Sequence, residues 1–419
     1  MSIYDNAGVV QIPSGYKAGT TDNLYSVLPA NGNGDFNATR GSTATRVNKD
    51  GLIESVATNV PRLDYPLIDG VVQDCPTLLL EPQRTNALQY SEEFENAYWI
   101  NNGITITANQ IVSPDGTQTA DLLTGVSGGF GVVVFSTWTS TNNCASCFAK
   151  KGSTNLFKIA NVSASDRYVI FDLENGTVSE EATNWSGSIE NFGNGWYRCT
   201  AISNNETGTF SLGVTAASES VYIWGAQLEA GSYATSYIPT SGSTATRSAD
   251  VCNGSGTSAE FNDSEGVLFV ESAALADDLT FRSISISDGT TSNRISLSYI
   301  TTSNIASAYV NTTSGVAFSS SITINNIAEN NKFVVKYKSG DYSFWINGFE
   351  TSSGSSSNIF ANGILNTLTF DKGNGGDDMY SNTKQLMTFK TALTDSELET
   401  LTSWDSFNAM AKGQLYTIE

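Results

Sequence analysis

The sequence predicts an all-β protein built from antiparallel β-sandwiches, and three observations carry that expectation. Apolar residues alternate with polar ones over short runs, as in "YVIFDL" from Tyr168 and "RISLSYI" from Arg294, which is the period of a strand. Between such runs stand Asn-Gly, Asp-Gly and Ser-Gly pairs, as in "LENGTV", "SPDGTQ" and "FGNGWY". Those residues tolerate the positive φ of tight turns. The chain of 419 residues is also longer than one core usually fills, so several domains are expected.

Taken in order, residues 1–87 read as an irregular segment. It carries the apolar run "PTLLLEP" with too little sequence around it for burial on its own, which predicts association with other copies. A first sandwich over 88–240 is supported by "ITITA" from Ile104, "WYRCTAIS" from Trp196, "TFSLGV" from Thr209 and "VYIWGAQL" from Val221. A second, over 241–419, is supported by "GVLFVESA" from Gly266, "FRSISISD" from Phe281, "KFVVKYKSGDYSFWINGFE" from Lys332 and "ILNTLTF" from Ile364. In that hairpin Phe333, Val335 and Tyr337 alternate with Val334, Lys336 and Lys338, so one buried face is expected. One helix closes the second sandwich: Thr394 is its N-cap, Glu397 the capping-box partner, and Leu393 and Leu398 the hydrophobic staple. The hexapeptide GSTATR occurs at 41–46 and again at 242–247. Both copies lie where apolar runs give way to small polar residues, so they mark seams, and each arginine is expected to pair with a carboxylate of a neighbouring domain.

Lys and Arg number 21 against 42 Asp and Glu, a net charge of −21. That balance opposes binding to a phosphate backbone, and nucleic acid is excluded as a partner. The start "MSIYDNAGVVQIPSG" has neither a basic region nor a long apolar one, and "GVVVF" from Gly131 is far too short to span a bilayer, so no membrane insertion is expected. Cys75, Cys144, Cys147, Cys199 and Cys252 are odd in number and scattered, which predicts reduced structural thiols. Histidine is absent. Its absence removes the commonest general base and metal ligand, and with them every Ser-His or Cys-His nucleophile.

Several long stretches resemble a known family. "FNATRGSTATRVNKDGLIESV", "PTLLLEPQRTNALQYSEEFENAYW", "SPDGTQTADLLT", "NFGNGWYRC" and "IWGAQLEAGSYATSYIPTSGSTATR" look like a modular protein of tailed-bacteriophage virions. The middle block is similar to a carbohydrate-binding jelly roll. "KYKSGDYSFWINGFE" followed by "QLMTFKTALTDSELETLTSW" resembles a concanavalin A-like (laminin G-like) sandwich. The resemblance implies a non-enzymatic fibre or spike component on the head or tail, assembled in the host cytoplasm into a homotrimer alongside other virion proteins, whose sandwiches meet host cell-surface glycans. The N-terminal segment would serve virion attachment or oligomerisation. The alternatives are a ligand-free capsid decoration or assembly protein, and a polysaccharide depolymerase.

Each chemical motif has a bland competitor. "GVSGG" over 125–129 matches a nucleophile elbow, but Ser127 would need a histidine the chain lacks. Cys144 and Cys147 form a C-x-x-C that reads as two buried strand thiols rather than half a zinc site. No cofactor is expected. Calcium is the candidate ion, because laminin G-like sandwiches often carry it at the rim, and Asp371, Asp377 and Asp378 in "DKGNGGDD" supply hard oxygen donors. The spacing fits no defined calcium loop and Lys372 stands among them. Glycan hydrolysis needs two carboxylates about 5 Å apart, or wider for inversion, and the E-x-D-x-x-E-like run that concanavalin A-like glucanases place on one strand face occurs in no strand here, which disfavours an enzyme. Sugar binding needs an aromatic face with amide or carboxylate partners. Trp196 and Trp224 lie inside strand patterns and read as core, whereas Trp138 in "STWTSTNN" and Trp185 in "ATNWSGS", with Asn142 and Asn184 beside them, are the candidate glycan-binding residues.

Overall fold

A computed structural model describes residues 3–13, 23–126, 131–134, 142–162, 167–204 and 207–404. The fold is all-β, with two antiparallel sandwiches. The first packs two six-stranded sheets face to face. One runs in the order Ile100–Asn102, Gly131–Val134, Phe210–Gly213, Leu156–Asn161, Tyr168–Asp172, Thr177–Glu181. The other runs Ile104–Ile111, Ala120–Gly125, Ser220–Ala230, Asn142–Lys151, Trp196–Asn204, Trp185–Gly193. The inward residues of both sheets, among them Trp99, Cys147, Phe157, Phe171, Leu212 and Ile223, form one core.

The second sandwich faces a five-stranded sheet (Gly315–Thr323, Ile305–Thr312, Arg294–Tyr299, Arg282–Ser287, Thr367–Thr369) against one of eight strands. The eight-stranded sheet corrects the expectation of an irregular N-terminal segment. Its order is Phe349–Gly354, Tyr342–Ile346, Asn331–Lys338, Glu265–Ala274, Ser381–Phe389, Thr77–Leu80, Arg62–Asp64, with Ala7–Gln11 also paired to Ser381–Phe389. Three of its strands therefore come from the first 80 residues of the chain. Thr77–Leu80 is "TLLL", and Leu78, Leu79 and Leu80 are all buried within this one chain. The apolar run needs no second copy to cover it, so that physical reason for self-association falls away.

The hairpin near residue 340 departs from its expected single buried face. Phe333, Val335 and Phe344 enter the sandwich core as the alternation requires, but Val334 and Trp345 on the other face are buried too. The C-terminal helix, Asp395–Thr402, supplies that cover: Leu393, Leu398 and Leu401 pack with Val267, Phe269, Val334 and Trp345. Its start is the expected capping box, with Thr394 Oγ1 accepting the Glu397 N–H and Glu397 Oε2 accepting the Thr394 N–H. Lys336, on the covered face, is buried and reaches Asp341 and Asp395 at 2.8 and 3.1 Å.

At the seams the two hexapeptides behave differently. The second contributes Ala245–Arg247, paired with Arg84–Asn86; the first lies in a hairpin of Ala44–Val47 with Ile53–Val56. Arg46 pairs with Glu54 of its own hairpin at 2.7 Å, not with another domain. Arg247 meets the expectation: it pairs with Glu81 at 2.9 Å inside a buried network in which Arg62 bridges Glu81 and Asp250, and Arg40 binds Asp250 at 2.9 Å. Ser236, at the end of the first sandwich, donates its N–H and hydroxyl to Glu81. Burial alone would push Glu81 up, but Arg247 and Arg62 beside it and the Ser236 bonds hold it at about 2. The network ties the N-terminal strands, the connector and the first sandwich together.

Candidate functional site

The fold leaves a cleft of about 660 Å³ where the N-terminal segment, the first sandwich and the outer face of the eight-stranded sheet meet. The sheet provides its floor with Ala273, Lys332, Asn382 and Lys384. Thr77, on the adjoining N-terminal strand, donates its hydroxyl to Asn382 Oδ1 at 3.1 Å. One wall is a small hairpin, Leu67–Ile68 with Val71–Val72, turned by Asp69 and Gly70, both at positive φ, as a two-residue turn requires. A Cβ on Gly70 would lie 2.4 Å from Asn191 Oδ1, and one on Gly193 would lie 2.7 Å from the Gly70 carbonyl oxygen. Two glycines thus let the hairpin press on the first sandwich and bring Glu190 into the cleft.

Asp64, at the end of Arg62–Asp64, accepts the Val47 N–H at 2.8 Å. Burial pushes its carboxyl up to about 6, against the pull of that bond and of Arg62. Beyond the helix, Trp404 forms the far rim, with the Lys332 ammonium 4.6 Å from its ring centre and donating to the Ser403 carbonyl at 3.0 Å. A narrower arm of about 330 Å³ shares Val47, Asp64, Glu190 and Asn382 with the cleft and adds Arg46 and Arg198. Apolar and aromatic surface from Tyr65, Leu67, Ile68 and Trp404 thus stands beside amide, carboxylate and ammonium groups, in a volume typical of small-ligand sites. That mixture matches the two sides of a sugar ring, apolar C–H face and hydroxyl edge. Another cavity of about 380 Å³, in the first sandwich, is lined by Glu92, Glu93, Glu95 and Asp121 and by no aromatic among the described residues. Burial pushes Asp121 up to about 7, and nothing there offers a sugar platform.

The residues singled out from the sequence lie elsewhere. Trp138 and Ser127 fall outside the described residues. Trp185 is corrected from surface to core: it opens the strand Trp185–Gly193 and is 5% exposed, packed in the first sandwich. Asn184 is exposed at positive φ in the turn before it. Asn142 is half-buried, opposite Asn204, and its carbonyl accepts the Gly231 N–H. Ser203 stands opposite both Asn143 and Trp185, so Asn142, Asn184 and Trp185 do share one end of a sheet, but the Trp185 ring is buried and offers no open face there. Trp196 and Trp224 are core, as expected.

Cys144 and Cys147 are buried in Asn142–Lys151, and burial pushes both thiols far above their usual range. The carboxylates of 371–378 are engaged internally. Asp371 accepts the Thr369 hydroxyl and the Gly373 N–H, Asp377 pairs with Lys372 at 2.5 Å, and Asp378 accepts the Tyr380 hydroxyl. Among the described residues no group of three His, Cys, Asp or Glu side chains is placed to hold a metal ion.

No protein-family model matches the sequence, and no curated protein matches it. Three solved structures are each similar to about a third of the chain. The CBM40 of Ruminococcus gnavus IT-sialidase bound to alpha2,3 sialyllactose is 13% identical with a TM-score of 0.29, over 34% of this chain and 84% of that one. The NanB sialidase of Streptococcus pneumoniae is 15% identical with a TM-score of 0.29, over 35% of this chain and 25% of that one. The SAP-like pentraxin of Limulus polyphemus is 13% identical with a TM-score of 0.27, over 35% and 72%. Likeness at this level carries no functional weight.

Proposed function

We propose that this chain is a non-enzymatic carbohydrate-binding component of a tailed-phage virion, a fibre or spike that assembles with itself, as a trimer, and with other virion proteins, and that the inter-module cleft is where it meets host glycans. The observation that carries the binding half is the cleft itself, which sets Tyr65 and Trp404 beside Asn382, Gln73, Lys332 and Lys384. The virion half rests on the sequence stretches quoted above. A glycan array probed with the full chain, alongside Tyr65→Ala and Asn382→Ala, tests the first half. Binding lost in both variants at unchanged melting temperature supports the cleft, and undiminished binding in both removes it. Immunolabelling of intact virions tests the second.

One observation favours a depolymerase as the second reading: Asp64, pushed up to about 6, and Glu190, also pushed up by burial, line the same cleft, and glycan hydrolysis uses two carboxyl groups. Release of reducing ends from host polysaccharide, abolished in Asp64→Asn, would select it.

A further inference from the structure

Two lysines in the cleft are placed in ways that ordinary strand geometry does not require. In Ser381–Phe389, Gln385 stands opposite Glu271 and Thr383 opposite Ser272, so Lys384 is an extra residue in a β-bulge. Bulges re-aim side chains, and they recur beside functional sites. In strict alternation Lys384 would share the inward face of Leu386, which is in the sandwich core. Instead its ammonium lies on the cleft side, 39% exposed and 3.9 Å from Glu271. Glu271 is already engaged by the Gln385 amide at 2.6 Å.

Lys332 lies across the same strand, directly opposite Glu271. The two lysines are therefore two inter-strand spacings apart, about 10 Å between backbones, a gap that two four-carbon stems close easily. The Lys332 ammonium is held by a carbonyl and a ring face, and no carboxylate pairs with it among the described residues. The cleft lining carries four carboxylates, Asp64, Asp74, Glu190 and Glu329, beside these two lysines, so it is the placement of Lys332 and Lys384, and not the local charge balance, that singles them out.

We propose that the cleft selects acidic saccharides, seating one anionic substituent of the sugar, a carboxylate or sulfate, between Lys332 and Lys384. Trp404 and the Ser403 carbonyl act as positioning groups that hold the Lys332 ammonium toward the ligand. The proposal rests on the glycan-binding reading above and narrows it to a ligand class.

The test is calorimetric titration of the full chain with three probes: a hexuronate oligosaccharide, the same oligosaccharide with its carboxyls reduced to alcohols, and a sulfated neutral oligosaccharide of equal length. The hexuronate or the sulfated probe should bind at least about tenfold tighter than the reduced one, since each factor of ten is one charge-assisted contact's worth. The preference should weaken with added salt. Lys332→Met and Lys384→Met should each remove most of the preference, read as the ratio of affinities for the charged and the reduced probe, at an unchanged melting temperature. Equal affinity for all three probes overturns the proposal and leaves the glycan-binding reading standing. A preference that survives in the double variant overturns it as well. Failure of every saccharide to bind overturns both, so the two failures are distinguishable.

Discussion

Arg247 and Glu81 form a pair that is 1% and 4% exposed, whereas Arg46 and Glu54 are 25% and 37% exposed. The same hexapeptide thus supplies one buried and one surface arginine, and their energetics should differ accordingly. Arg247→Met leaves Glu81 to Arg62 and Ser236 and leaves the other partners of the guanidinium unbonded, and should cost about 1–3 kcal/mol in chemical denaturation. Arg46→Met should cost no more than about 1 kcal/mol. Glu81, which is buried, and Asp64, which is half-buried at the cleft, should also respond oppositely to pH. Glu81 is held below its ordinary 4.5, so the stability it contributes is present above that value and is lost as pH falls toward about 2. Asp64 is raised above its ordinary 3.8 to about 6, so its contribution is full below the lower value and is lost as pH rises through the upper. Asp64→Asn keeps an acceptor for the Val47 N–H, and should raise the melting temperature at neutral pH and leave it unchanged near pH 4. Trp185→Ala belongs with core substitutions, at about 3–5 kcal/mol. Its polar flanks suggest a loop, yet Trp185, Gly187 and Ile189 alternate with Ser186, Ser188 and Glu190, and that alternation was the readable signal.

Strands with clear alternation and the capped helix were legible because local chemistry decides them. Thr394 and Glu397 satisfy each other whatever the tertiary context, and Thr394→Ala should cost about 1 kcal/mol. In the cell of the fold where that helix sits, the loss matters further, since the helix is the lid over Val267, Phe269 and Trp345. Elements whose partners are remote in sequence were not legible. Ala7–Gln11 and Thr77–Leu80 are short and pair with Ser381–Phe389, roughly 300 or more residues away, and Arg62–Asp64 joins the sheet only through Thr77–Leu80; over such a distance no pattern in a single sequence reports. The Asp69-Gly70 turn was an exception. Asp-Gly between "PLI" and "VVQ" is a hairpin signal, and it builds the cleft wall.

At the scale of the whole molecule, the chain closes on itself: its first strand lies beside Ser381–Phe389, and the buried arginine network joins the N-terminal strands to the connector near residue 250. The cleft exists only in that closed arrangement, because its residues come from around 64–77, 190, 273, 328–332, 382–384 and 404. No motif could announce such a site from sequence, because a motif reports only on residues close together along the chain. The closure also predicts that the second sandwich is unstable without the N-terminal segment: a chain beginning at residue 88 should lose the eight-stranded sheet's end strands, expose Leu386 and Met387 to solvent, and aggregate or melt early. The most direct measurement of the central claim is binding of host-surface oligosaccharide to the intact chain, compared between the parent and Tyr65→Ala with folding checked by melting temperature. Saturable binding that falls at least about tenfold in the variant, with the fold unchanged, is the expected result; binding of equal strength in both proteins would contradict the assignment of the cleft as the glycan site.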